Sequence, residues 1–135
     1  MKVVVDTNVM FSFFKRGSFT RDLILNCPFG LVSPKFALVE LRKYSGLIMK
    51  KAGIGEDEFG LTLKELKRVV EFVNLPVYFD CVAEVERICP DKKDVDFLAL
   101  AFFEGSFLWS NDSVLKSQDR VKVYLTREVV GMFFD

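Results

Sequence analysis

Four acidic residues stand where apolar strands end or helices begin. They are Asp6 in Val-Val-Val-Asp-Thr-Asn, Glu40 in Phe-Ala-Leu-Val-Glu-Leu, Asp94 in Lys-Lys-Asp-Val-Asp-Phe-Leu-Ala-Leu-Ala, and Asp112 in Leu-Trp-Ser-Asn-Asp-Ser. In an open α/β sheet the carboxyl ends of the strands are where ligand sites form. Carboxylates gathered there repel one another and lose hydration, and a hard divalent cation with oxygen ligands compensates both costs. The chain contains no histidine, which removes the usual general base and most zinc sites. Metal-activated water chemistry is what these residue types leave.

Each acid also has a local explanation. Asp6 is a favoured N-cap at a strand-to-helix junction, although Thr7 and Asn8 beside it carry short oxygen-bearing side chains able to orient a carboxylate or a metal-bound water. Glu40 interrupts a stripe of Phe36, Ala37 and Tyr44 at helical spacing, so it needs a partner. Lys43 is one candidate, and snorkelling to the rim is another route. Asp94 follows Asp91 by three residues, as in a capping box, yet it opens the segment 97–103, apolar on nearly every face. Asp96 is an equally placed rival or helper. Asp112 and Asn111 could each cap a helix. Taken jointly the four are far more specific than any one of them.

The elements that must position these acids follow from pattern. Val3-Val4-Val5 is a continuous β-branched run, the mark of a strand buried on both faces. A helix carrying Val9, Phe11, Phe13 and Phe14 follows and ends near Gly17, and a second covers Phe19 to Asn26. Leu31-Val32 is a candidate second strand. Ser33-Pro34 suits a helix start, with that helix running to about Lys51 and a turn at Gly53 and Gly55. The next helix opens with Glu56-Asp57-Glu58 at its positive end and places Phe59, Leu63, Leu66, Val70 and Val73 on one face. Together these make a helical hairpin over about 34–74. Leu75 to Phe79 is expected as a short edge strand because of Pro76, followed by helices at about 81–88 and 92–104. Phe107 to Trp109 and Val121 to Leu125 read as the last strands, and Thr126 caps a short final helix. Alternation of this kind predicts an α/β fold with a parallel, helix-covered sheet.

At 135 residues, with no repeat or linker, the length predicts one domain over 1–135. Half the residues are hydrophobic and 15 are Phe, which excludes disorder. The formal net charge is zero, so any nucleic-acid footprint must be local. Cys27, Cys81 and Cys89 are odd in number and lack metal-ligand spacing, which favours small buried apolar side chains in a reducing cytoplasm. No secretory signal opens the chain, and its longest apolar run, 97–103, is too short to cross a bilayer. The expectation is a soluble protein with no membrane partner.

In order and spacing the motifs resemble the PIN-domain family, small metal-dependent ribonucleases related in fold to flap-type nucleases. The resemblance covers essentially the whole chain. Asp-Thr-Asn at 6–8 is similar to the family's opening motif, and Glu40 holds the position of its helical Glu. Asp94 in Asp-x-x-Phe-x-Ala-x-Ala resembles the third acid, and Asp112 in Ser-x-Asp the fourth. The resemblance implies a three-layer α/β/α sandwich on a parallel five-stranded sheet, with the four acids lining one pocket and Asn8, Asp96 and Ser110 supporting it. It also implies one or two Mg²⁺ or Mn²⁺ ions held by the four acids, with single-stranded RNA as the substrate. Glu40 would bind metal or position the attacking water. Candidate phosphate contacts are Lys15, Arg16, Arg42, Lys43, Lys50 and Lys51, each of which could equally be solvated surface charge.

The commonest role in the family is the toxin of a toxin–antitoxin pair, with RNA processing as another. The alternative from a different class is a PIN module that docks RNA or a protein without cutting, against which the presence of all four acids argues. Phosphoryl transfer through Asp6 is disfavoured because Asn8 stands where a second Asp is usual. The long hairpin, the many Phe residues and the terminal Met132-Phe133-Phe134 predict an exposed apolar interface, used for a two-fold homodimer or for capture of an antitoxin helix. The competing expectation is that the hairpin packs on its own sheet and the terminal Phe pair fills the core.

Overall fold

The computed structural model describes residues 1–133, so Phe134 of the terminal apolar trio lies outside the described residues. Strand β1 (Lys2–Val5) forms the middle of a five-stranded sheet because Val3, Val4 and Val5 are each fully buried. Such a run fits a strand covered on both faces. Helix α1 (Thr7–Phe11) and a 3-10 turn (Ser12–Phe14) follow, then α2 (Phe19–Leu25), capped by Ser18, which accepts the Arg21 N–H. Next come β2 (Gly30–Pro34), α3 (Phe36–Lys43), α4 (Ser45–Ala52), α5 (Glu56–Val69), β3 (Val70–Val73) and α6 (Leu75–Glu86). A 3-10 turn (Lys92–Asp94) leads into α7 (Val95–Glu104), then β4 (Leu108–Trp109), a 3-10 turn (Ser113–Ser117), β5 (Val123–Tyr124) and α8 (Thr126–Phe133).

All strand pairs are parallel, in the order β3-β2-β1-β4-β5, with Val3 opposite Leu31, Val5 opposite Trp109 and Trp109 opposite Tyr124. Helices flank the sheet. Helix α7, buried from Phe97 to Ala101, packs on β1 and β2, and α6 packs on α7. This is the α/β architecture that the alternating pattern predicts. Because parallel strands all end on one side, Asp6, the residues after Trp109 and the start of α7 face a common edge. Among the described residues no helix is long and apolar enough to cross a membrane. The three cysteines are free and half-buried at the margin of the core rather than inside it.

Several expectations fail for identifiable reasons. Ser33-Pro34 does not start a helix. Ser33 is fully buried in β2 and its Oγ donates to the Val5 carbonyl at 2.8 Å, while Pro34 stands at the strand's end, past the last residue paired with β1. The edge strand is Val70–Val73, not 75–79. The segment from Leu75 instead belongs to α6, where Pro76 occupies the first turn and its missing N–H costs nothing. Val70 and Val73, which fit the stripe of the preceding helix, lie in β3 instead, where they point to opposite faces of the sheet and both are buried. The first long helix of the hairpin breaks at Tyr44 into α3 and α4, and the helix after Asp6 tightens into a 3-10 turn before Gly17. Thr126 is the first residue of α8 rather than its cap, and Glu128 accepts the Leu125 N–H at 2.9 Å as half of a capping box.

Candidate active site

Asp6 takes its position from the sheet. Its backbone N–H donates to the Trp109 carbonyl at 2.9 Å, which extends the pairing of β1 with β4 by one residue. Asp6 precedes α1 in an extended conformation, but its side chain makes no capping bond. The carboxylate is only 5% exposed and accepts from Ser110 Oγ at 2.8 Å and, more weakly, from Asn8 Nδ2 at 3.4 Å. A plain N-cap is thereby ruled out.

Ser110, fully buried just past β4, is the hub of the cluster. Its hydroxyl donates to Asp6 and accepts from Asn8 Nδ2 at 3.2 Å and from the Asp112 N–H at 3.1 Å. Asn8 Oδ1 accepts the Asn111 N–H at 3.1 Å. One hydroxyl and one amide thus tie the turn after β1 to the turn after β4. Asn111 Oδ1 in turn accepts from the Thr126 hydroxyl at 2.8 Å, and Trp109 Nε1 donates to that same hydroxyl at 3.0 Å. The polar shell therefore reaches the start of α8, a link no motif signals in the sequence.

Glu40 reaches the cluster from α3. Its Oε1 accepts from Thr7 Oγ1 at 2.7 Å, and among the described residues it forms no ion pair. Lys43 sits instead over the Tyr44 ring, 5.4 Å from its centroid. Thr7 is only 4% exposed. Its role as an orienting hydroxyl is the expected one, although it holds Glu40 rather than Asp6.

Asp94 ends the 3-10 turn before α7, half-buried and without a capping bond from its side chain. The local cap is Asp91, whose Oδ1 accepts the Lys93 N–H at 3.0 Å. Asp96 is turned to the other helix, accepting from the buried Tyr78 hydroxyl at 2.7 Å. Burial, and then Asp96, push that phenol upward, so it remains a donor. Tyr78 lies in the segment expected as an edge strand, which hid the pairing. Asp112 does cap its turn, accepting the Val114 N–H at 3.0 Å.

The acids act on one another through space. Burial, opposed by the Ser110 and Thr7 hydrogen bonds and reinforced by Glu40 and Asp112, pushes the Asp6 carboxyl up from 3.8 to about 6. Burial, followed by repulsion from Asp6, Asp91, Asp112 and Glu40, pushes Asp94 up to about 7. Among the described residues no three acidic side chains already converge on a single ion's coordination sphere. The donors are carboxylate, hydroxyl and amide oxygens with no imidazole or thiolate, and the ionised carboxylates call for positive charge. That chemistry fits a hard divalent cation that keeps several of its waters.

The basic candidates divide. Arg16 forms a two-pronged pair with Glu58, both bonds 2.8 Å, which leaves little of it for phosphate. Arg42, Lys43 and Lys50 are exposed, and Lys15 and Lys51 line one cavity.

No curated protein sequence matches the chain. In fold it is similar to a chain in the crystal structure of VapBC2 from Rickettsia felis bound to a DNA fragment from their promoter. The TM-score is 0.66 at 14% identity, over 93% of this chain and 98% of that one. PIN domains are generally nucleases, and PIN nucleases generally use divalent metals. The PIN-domain family model matches residues 4–129, from within β1 to within α8 and so across all four acids: the chain belongs to the PIN-domain family.

Proposed function

We propose that residues 1–135 form a single PIN domain acting as a Mg²⁺- or Mn²⁺-dependent ribonuclease that hydrolyses phosphodiester bonds of single-stranded RNA. The observation that carries this reading is the burial of Asp6 and the partial burial of Asp94 at the carboxyl edge of the sheet, within the field of Glu40 and Asp112, which together push their carboxyls up to about 6 and 7. A carboxylate cluster that costs the empty fold free energy is what a cation site requires. A divalent ion there would supply activated water and offset the charge of an in-line displacement at phosphorus. Asp6, Asp94 and Asp112 would hold such an ion, directly or through water. Ser110 and Asn8 fix the rotamer of Asp6 by the bonds described above, and Asp96 anchors the first turn of α7 through Tyr78. Glu40, with one oxygen fixed by Thr7, would have the other free to bind the metal or to position the attacking water. Lys15, Arg42 and Lys43 are exposed side chains on or beside these elements that are left to meet phosphate.

The same reading places the protein as the toxin of a toxin–antitoxin pair in a reducing cytoplasm. The three free cysteines support the compartment, and the fold likeness to a chain of VapBC2 supports a protein partner. Phe19, Leu61, Phe79 and Phe103 are each about half exposed or more, which favours a further interface, either with a second copy or with an antitoxin. The test is direct: purified protein should cleave single-stranded RNA in Mn²⁺ or Mg²⁺ and stop in EDTA. Binding without cleavage in either metal would leave a docking module instead.

A further inference from the structure

Thr7 and Phe11 are one helical turn apart on α1, and Glu40 and Tyr44 are one turn apart along α3. Thr7 bonds Glu40 at 2.7 Å, and the Phe11 ring meets Tyr44 edge-on with centroids 6.1 Å apart. The two helices therefore run side by side away from the acids. Just past Phe11 a cavity of about 250 Å³ opens between the end of α1 and α4. Phe11, Leu47, Ile48 and Ala52 form its apolar wall, Lys15 and Lys51 its charged rim, and Ser12 completes it. Among the described residues no carboxylate lines it and neither lysine has an acidic partner.

We propose that this cavity is a nucleobase subsite, taking one unstacked base of single-stranded RNA against Phe11 while Lys15 and Lys51 meet the adjoining phosphates. The proposal rests on the ribonuclease reading above and gives its substrate a direction. The combination is what single-strand recognition uses: an aromatic or apolar platform for a base and cations along the backbone. Scale agrees. Four helical steps lead from Thr7 to Phe11, about 6 Å along the axis, so the cavity lies within reach of a nucleotide adjoining the acids. The volume falls just short of the roughly 300 Å³ at which drug-sized ligand pockets begin, enough for a base and too little for the apolar stripe of a partner helix. The bound strand then runs from the acids along α1 towards α4.

The test uses the full chain and a short fluorescein-labelled single-stranded RNA, with anisotropy read in EDTA so that nothing is cut. Lys15→Ala/Lys51→Ala should weaken binding about tenfold or more at low salt and flatten the log–log salt slope by about 1.4. Leu47→Glu, at an already exposed position, should block the cavity with a similar loss. Moving a single abasic site along the RNA should reveal one position at which wild-type affinity falls about fivefold or more, and Leu47→Glu should erase that position. In Mn²⁺ the double-lysine variant should raise KM while leaving kcat within about threefold. Affinity unchanged by both variants overturns the subsite, as it would if the cavity holds a protein segment. Loss of affinity with no sensitive abasic position also overturns it, because the lysines would then act as diffuse charge. Wild-type protein that shows the abasic signature but cuts no RNA in either metal supports the subsite and sinks the ribonuclease reading, so the two fail separately.

Discussion

Replacing Asp6 by Asn should stabilise the metal-free protein at neutral pH. Asp6 is 5% exposed and its carboxyl rises from 3.8 to about 6 on folding. That rise corresponds to about 3 kcal/mol. The folded state holds the proton more tightly than the unfolded chain does. The contribution is therefore fully present below about 3.8, is lost as pH climbs through about 6, and is absent above. Asp94 acts in the same direction with its folded value near 7, although its partial exposure lets solvent screen part of the effect. Asn at position 6 keeps an oxygen that can accept from Ser110 and carries no charge, so it escapes the loss. In urea titrations with EDTA, Asp6→Asn should be about 1–3 kcal/mol more stable than wild type at pH 7.5. The two should agree within about 0.5 kcal/mol near pH 4. Millimolar Mn²⁺ should close the gap by stabilising wild type alone, by about 2.7 kcal/mol at a hundredfold excess over Kd. A wild type whose stability relative to the variant does not change between pH 4 and 7.5 would refute the burial and repulsion argument. So would an Asn variant less stable at neutral pH.

Ser110→Ala leaves Asp6, Asn8 and the Asp112 N–H each one partner short, so chemical denaturation should show a loss of about 1–3 kcal/mol. It also removes the bond that lowers the Asp6 carboxyl, so the acidic limb of the pH–rate profile should move to higher pH. Thr7→Val keeps the shape and deletes the donor to Glu40; kcat should fall about tenfold with KM little changed, and steady-state kinetics would show it.

Much of this site is legible in the chain because its residues sit at element junctions. Val3-Val4-Val5 followed by Asp6 reads as a buried strand with a carboxylate at its end, and it folds so, with the Asp6 side chain bonded to Ser110 rather than capping α1. The same holds for Trp109-Ser110, where a strand places a hydroxyl against Asp6. Failures arise where one residue supports two local structures. Pro76 suits an edge strand and a helix's first turn equally, and the pairing of Leu31 to Pro34 with Val70 to Val73, remote in sequence, decided for the helix. Ser33 has the propensity of a cap, but the Val5 carbonyl beside it in the sheet claims its hydroxyl. Asp96 and Asp94 look alike in sequence, and only the packing of α6 on α7, which brings Tyr78 to Asp96, separates them.

On the proposed function, Asp94 belongs to the metal-binding carboxylate cluster while Asp91 only caps the turn before α7. Single-turnover cleavage of single-stranded RNA in Mn²⁺, run with wild type, Asp94→Asn and Asp91→Asn, tests it most directly. Asp94→Asn should fold normally and lose cleavage by about a hundredfold or more, in the range seen when one charged group of a preorganised site is removed. Asp91→Asn retains an acceptor for the Lys93 N–H and should stay within about fivefold of wild type. Cleavage abolished by Asp91→Asn and spared by Asp94→Asn would contradict the account.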